Sequence, residues 1–366
     1  MNLQKNAKST KKYITGQPLT EVPQPVIRFD GRARRIRKPS RPTQNQWIHG
    51  LWAIGIYGLL LFWFVLADTQ VCPCLTSSAW GAELQDVCLK NSPAQPGQGE
   101  AMLLTVTSKS NVTPTSLVFQ GKTLSFQPCP PEIEHSADGS SCHFTLISIP
   151  MDITPGSHNM AIDISRAGHM ERLTVPLQIV SKQYPEEHLT VEPKMVEFPP
   201  EILRRIKEEQ AALITSMNGE TNRMYWTPWF VWPVPEEIKS PFGLKRFFNG
   251  QPRAPHAGID LKGGIGDPVR AANNGRIVFL RDCYLSGNTM VIDHGCGLYS
   301  IYCHLSKTYV GLEEEVKKNQ LIGEVGKTGR ATGPHLHWGI SLHGIRIDPQ
   351  SLMRLLGETK SPPPNP

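Results

Sequence analysis

The sequence predicts a mainly β protein: an N-terminal transmembrane helix, a small immunoglobulin-like β-sandwich module, and a larger β-sheet domain with an open groove. Three observations carry this. Thirty-two prolines and 31 glycines among 366 residues cut the chain into short runs. Within those runs apolar residues alternate or cluster as strands require, and only one stretch beyond residue 68 has a clear helical period. One apolar segment, near the N-terminus, is long enough to cross a bilayer.

Residues 1–46 hold eleven Lys or Arg against Glu21 and Asp30, a local balance of +9 within a chain of net charge +6. The basic character therefore belongs to the N-terminus, and the rest of the chain is about neutral to acidic. The next segment, "WIHGLWAIGIYGLLLFWFVLA" (47–67), has no Lys, Arg, Asp or Glu in 21 positions. It reads as a single-pass anchor in the cytoplasmic membrane, with the basic flank on the cytoplasmic side and residues 68–366 outside. The alternative is a cleaved signal peptide ending near Ala79 and Gly81, with secretion to the periplasm. Topogenic charge explains "RARRIRKPSR" better than nucleic-acid binding does, so no nucleic acid is expected as a partner.

Residues 68–98 read as a linker and 99–182 as the sandwich, built from runs such as "MLLTVTS", "TSLVFQ", "HFTLISI" and "RLTVPLQIV". Residues 183–235 read as a second linker containing a helix over 199–217. Ile202, Leu203, Ile206, Gln210, Leu213 and Ile214 form that helix's packed stripe, and Arg204, Arg205, Lys207, Glu208 and Glu209 its solvated face. The aromatic stretch "YWTPWFVWPVP" suits either a groove wall or the packing of a domain junction. Residues 236–351 form the second β domain, and 352–366 a proline-rich tail.

All eight cysteines follow the apolar segment, as export to an oxidising compartment would favour. Cys129 and Cys142 enclose a short turn-rich stretch and make the expected disulfide. No cysteine spacing resembles a four-cysteine zinc site, and no phosphate-binding glycine loop or serine-hydrolase elbow is present.

Histidines concentrate in the second β domain: His256, His304, His335, His337 and, as a further candidate, His294. "PHLH" puts His335 and His337 on one face of a strand. In "LYSIYCHLS", His304 ends another strand, where alternation predicts that Tyr302 shares its face and Cys303 points away. A catalytic zinc takes three protein ligands and leaves a position for water, whose pKa falls toward about 7. His256, Asp260 of "PHAGID" and one histidine of the H-x-H pair would supply such a set. Two histidines then remain for proton transfer and for stabilising a carbonyl oxygen that turns anionic.

"PFGLKRFFNGQPRAPHAGIDL", "GNTMVIDHGCGLYSIYCHLS" and "GKTGRATGPHLHWGI" resemble the successive motifs of the lysostaphin-type zinc metallopeptidases, bacterial cell-wall endopeptidases. More loosely, "HLTVEPKMVEFPPEILRRIKEEQ" and the β-rich stretch before it resemble the N-terminal module of some Gram-negative members. The resemblance implies Zn2+ held by His256, Asp260 and His337, with His304 and His335 as the catalytic pair. It implies a β-sheet core with an open groove and hydrolysis of amide bonds in peptidoglycan stem or cross-link peptides. His294 has no metal role in that pattern. The competing expectation is a non-catalytic wall-binding regulator of other peptidoglycan hydrolases, but relatives of that kind lack some of the five residues present here.

Overall fold

A computed structural model of the chain describes residues 86–109, 111–133, 140–190, 198–219, 221 and 223–357. The 47–67 segment lies outside the described residues. Among those described, no helix is long and apolar enough to cross a membrane.

The first β unit consists of two four-stranded antiparallel sheets. One runs in the order Val87–Ser92, Ala101–Ser108, Ser141–Ser148, Gln127–Pro128, and the other Lys122–Ser125, Val112–Phe119, Gly156–Arg166, His169–Ile179. Alternation, shifted by one residue at an irregularity between Pro114 and Ser116, explains the packing. Val112, Leu117 and Phe119 point into the shared core while Thr113 and Thr115 face water. Met102, Leu104, Val106 and Ile147 meet them from the other sheet. Two hairpins close through two-residue turns, Gln120-Gly121 (φ 48° and 74°) and Ala167-Gly168 (φ 49° and 87°). Positive φ at both positions matches the twist of the flanking strands. The expected disulfide is present, with Cys129 and Cys142 Cα atoms 5.3 Å apart.

One boundary differs from expectation. Val87–Ser92, assigned above to the 68–98 linker, is an edge strand paired along its length with Ala101–Ser108. Val87 is buried in the sandwich core, a pull that the polar residues around it conceal in the sequence.

The second β unit is an eight-stranded antiparallel sheet. Its main path runs Ile238–Ser240, Ile259–Leu261, Leu336–Leu342, Leu298–Leu305, Gly287–Gly295, Gly275–Cys283, Glu315–Val316, and Ile345–Ile347 pairs with Leu336–Leu342. One face carries Met290, Ile292, Tyr302, Leu336 and Trp338 into the main core. On the opposite face Phe279, Val291, Tyr299 and Ile301 pack beneath the helix Pro200–Ser216.

That helix lies where its period predicts, but its faces are rotated from the expected assignment. Ile206 is buried as expected, but Leu203 and Ile214 are exposed and Glu209, expected on the solvated face, is buried. Glu209 is held there by Arg205 Nε (2.6 Å) and by the Tyr284 backbone N–H (2.8 Å). Two donors compensate the buried carboxylate, which no helical period can show. The 183–235 stretch is also more than a linker, because Glu186–Leu189 pairs in parallel with Lys245–Phe248.

A second helix, Pro349–Leu356, extends the domain past residue 351 into the predicted tail. Leu352 and Leu356 are buried in the main core, so apolar burial sets the boundary there. Asp348 caps this helix by accepting from Gln350 N (3.0 Å) and also pairs with Lys182 Nζ (2.9 Å) at the end of the 99–182 stretch. The aromatic stretch proves to be junction packing. Trp226 and Phe230 sit in one core with Phe144 and Leu146 of the sandwich, the Trp226 and Phe144 rings meeting edge-on at 5.8 Å.

Asp348→Ala removes both the cap and one partner of Lys182. The expected loss is about 2 kcal/mol of unfolding free energy, measurable by urea denaturation. A variant as stable as the parent would deny Asp348 this double role.

Candidate metal centre and active site

Strand pairing builds the site. Asp260 lies opposite His337 across one ladder, and Cys303 lies opposite His337 across the next, so all three share a sheet face. It is the face that the Pro200–Ser216 helix covers farther along. His256 comes from the loop before Ile259–Leu261. Its Nδ1–H donates to Pro241 O at 2.8 Å, which turns Nε2 inward. His256 Nε2 then stands 2.9 Å from His337 Nδ1 and 3.0 Å from Asp260 Oδ1, and His337 Nδ1 stands 3.0 Å from the same oxygen. Ligand atoms of the three residues all fall within 4.8 Å of one another.

Gly258 makes this approach possible. A Cβ there would stand 2.5 Å from Trp338 O and 2.9 Å from His337 Nε2.

The donor set fits a metal ion. His256 spends its Nδ1 proton on a carbonyl, so its Nε2 offers a lone pair, and Asp260 offers a carboxylate. With His337 Nδ1, three electron-rich atoms converge where the available protons satisfy only some of them. One divalent cation would satisfy all three, and a two-imidazole, one-carboxylate set suits zinc with a position left open. Burial alone would raise the Asp260 carboxyl. Without a metal, protonated forms of the facing His256 and His337 imidazoles would outweigh it and hold the group well below the usual carboxylate range.

The remaining pair stands beside this cluster. The His304 and His335 rings are 4.8 Å apart, and His304 is 6.3 Å from His337. His335 Nε2 lies 3.7 Å from Asp260 Oδ1. Each ring is anchored through Nδ1–H, His304 to Thr328 O and His335 to Gly333 O, both at 2.8 Å, so Nε2 is the nitrogen left to exchange protons. Burial pushes His304 down to about 4, so it is a neutral base at pH 7.

Alternation along Leu298–Leu305 was misleading at its end. His304 was expected to share the Tyr302 face, with Cys303 turned away from it. Tyr302 faces the main core, whereas Cys303 lies on the metal-site face. His304 reaches that site because its φ of 63° breaks the strand's alternation.

His294 is placed elsewhere. It is buried, with Nδ1 2.7 Å from Asn274 O and Nε2 2.7 Å from Ser300 Oγ. Desolvation lowers it from 6.5 to about 4. The unfolded chain therefore binds a proton that the folded chain refuses. Stability is complete above pH 6.5 and falls as pH drops toward 4, by up to about 3 kcal/mol. Urea denaturation at stepped pH checks this: His294→Asn should flatten that limb, and an unchanged slope would assign it to other groups.

A cleft of about 740 Å³ opens over the cluster. Its walls include Ile206, Glu209 and Leu213, which the sequence reading placed on the helix but not in a cleft, and Arg246, Arg330 and Arg346, which it did not single out. Arg330, within "GKTGRATGPHLH", was the one with a visible signal, its closeness to the H-x-H pair.

The β-sheet domain thus brings a His-Asp-His cluster and a flanking histidine pair into one cleft, a donor set that suits a metal ion. Residues 254–349 match the model for Peptidase family M23. The chain is 43% identical over 95 residues to the Vibrio cholerae protein named peptidoglycan DD-endopeptidase ShyA, covering 26% of this chain and 22% of that one. It is 38% identical over 115 residues to the Neisseria meningitidis DD-carboxypeptidase/endopeptidase Mpg, covering 31% of this chain and 26% of that one. The chain thus spans under a third of the length of these curated relatives. A crystal structure from Pseudomonas aeruginosa, assigned to peptidase M23, superposes with a TM-score of 0.50 at 27% identity. It covers 71% of this chain and 95% of its own, more than the catalytic domain alone.

Proposed function

We propose that this chain is a zinc-dependent endopeptidase that hydrolyses amide bonds in peptidoglycan stem or cross-link peptides. The observation that carries this is the convergence of all five residues, His256, Asp260, His304, His335 and His337, in one cleft. The names of the relatives point to the same substrate. A wall-binding protein without activity would not need the His304–His335 pair beside a complete ligand set.

His256 Nε2, Asp260 Oδ1 and His337 Nδ1 would hold the zinc. When bound, zinc supplies Lewis acidity and makes water a nucleophile near neutral pH. His304, neutral and anchored through Nδ1, takes the water's proton on Nε2. His335, at the edge of the cluster and held by Gly333 through Nδ1–H, would donate from Nε2 to the carbonyl oxygen as it turns anionic when both of its ring nitrogens carry protons. Helix and sheet wall the cleft on one side.

The 47–67 segment would anchor the protein in the cytoplasmic membrane with its catalytic part outside, or be cleaved to release it to the periplasm. The two-sheet unit would be an immunoglobulin-like spacer or wall-binding module. Zinc-loaded full-length protein, incubated with purified peptidoglycan, should release fragments whose masses correspond to cleaved stem or cross-link amides. Intact peptidoglycan across pH 5 to 9 would contradict the proposal.

A further inference from the structure

The cleft holds an imbalance of charge. Three carboxylates line it, and each is committed. Glu187 accepts from Arg246 Nε at 3.0 Å, Glu209 accepts from Arg205 and Tyr284, and Asp260 belongs to the metal centre. Two guanidiniums in the same lining, Arg330 and Arg346, have no carboxylate partner among the described residues. Arg346 is half-buried and sits opposite Ser341, on the sheet face that carries His337. Its Nη1 stands 3.2 Å from where a Gly339 Cβ would be, two residues beyond that ligand. Arg330 lies at the rim, in the loop leading to His335, and Arg246 and Arg253 add repulsion instead of relief.

Arg346, partly desolvated without an anion, is costly to keep, while the exposed Arg330 adds charge at the rim. The planar fork of an arginine suits carboxylates in particular. We infer that Arg346 at the floor and Arg330 at the rim are specificity-determining residues that dock free carboxylates of the substrate peptide, so that the cleft selects acidic over amidated peptides. This rests on the endopeptidase reading for the identity of the peptide, but the docking itself does not require turnover. The carboxylates are either side groups of the peptide or its C-terminus.

The test uses three synthetic cross-linked stem-peptide dimers: one with all carboxylates free, one amidated only at its C-terminus, and one fully amidated. Binding is measured by calorimetry on zinc-loaded full-length His335→Ala protein, and turnover on the parent. Full amidation should weaken binding by roughly tenfold or more. Arg346→Gln and Arg330→Gln should each reduce that discrimination while changing affinity for the fully amidated dimer by less than about twofold. Arg346→Lys should restore part of it. Loss of binding on C-terminal amidation alone assigns the terminus as the docked group, and retained binding assigns the side groups. Equal binding of the acidic and fully amidated dimers, or Arg→Gln variants that weaken both alike, would overturn the inference. Carboxylate-dependent binding without turnover by the parent would instead remove the endopeptidase reading and leave the docking site standing.

Discussion

Asp260→Ala is expected to empty the metal site and abolish turnover together. Its carboxylate is the only anionic donor in the cluster and lies 3.0 Å from both the His256 and the His337 ligand nitrogens. Removing it leaves two imidazoles to hold a dication, without the charge that offsets part of its desolvation. Loss of a group that merely orients a ligand costs about 10- to 100-fold in metal affinity, so loss of a ligand should cost at least about 100-fold. His337→Ala should behave the same way, because its Nδ1 is the atom that both other donors face. Metal content by elemental analysis, measured beside turnover, checks both variants. An Asp260→Ala protein that retains one zinc after dialysis would remove the residue from the ligand set.

His304→Ala and His335→Ala should separate the two properties. Neither ring belongs to the three-atom cluster, and each is fixed by its own carbonyl, so zinc should stay bound. Turnover should fall by about 10²- to 10⁴-fold, the usual contribution of a positioned proton-transfer group. The same elemental analysis and turnover assay apply. If His304→Ala emptied the site while His256→Ala did not, the division between ligands and catalysts would be wrong.

Much of the site was legible because its parts are local. The two-residue period of a strand puts His335 and His337 together without knowledge of the fold, and the ladder that sets Asp260 against His337 needs only that the two motifs pair. The glycine between His256 and Asp260 in "PHAGID" marks the close approach that Gly258 permits. What stayed hidden depends on long-range contacts or on single backbone angles. Cys303 faces the metal site by regular pairing with His337, and His304 joins it because of one positive φ that periodicity does not encode. Glu209 is buried because residues 75 positions away supply a donor. Val87–Ser92 and Leu352 belong to folded units through apolar burial that short polar flanks obscure. Arg346 carries no motif, and its isolation from carboxylates is visible only when the walls of the cleft are assembled.

The shared core of Phe144, Leu146, Trp226 and Phe230 means that the two β units do not pack independently. The helix Pro200–Ser216, from the stretch between them, forms one wall of the cleft. Substrate access and the stability of the junction are therefore coupled through a single segment.

Zinc titration into chelator-stripped full-length protein, with cleavage of a purified cross-linked peptidoglycan dimer followed by mass spectrometry, bears most directly on the five-residue assignment. Cleavage at an amide should rise from baseline and level off at one zinc per chain. Full cleavage in the stripped protein, or none in protein carrying one zinc, would contradict it.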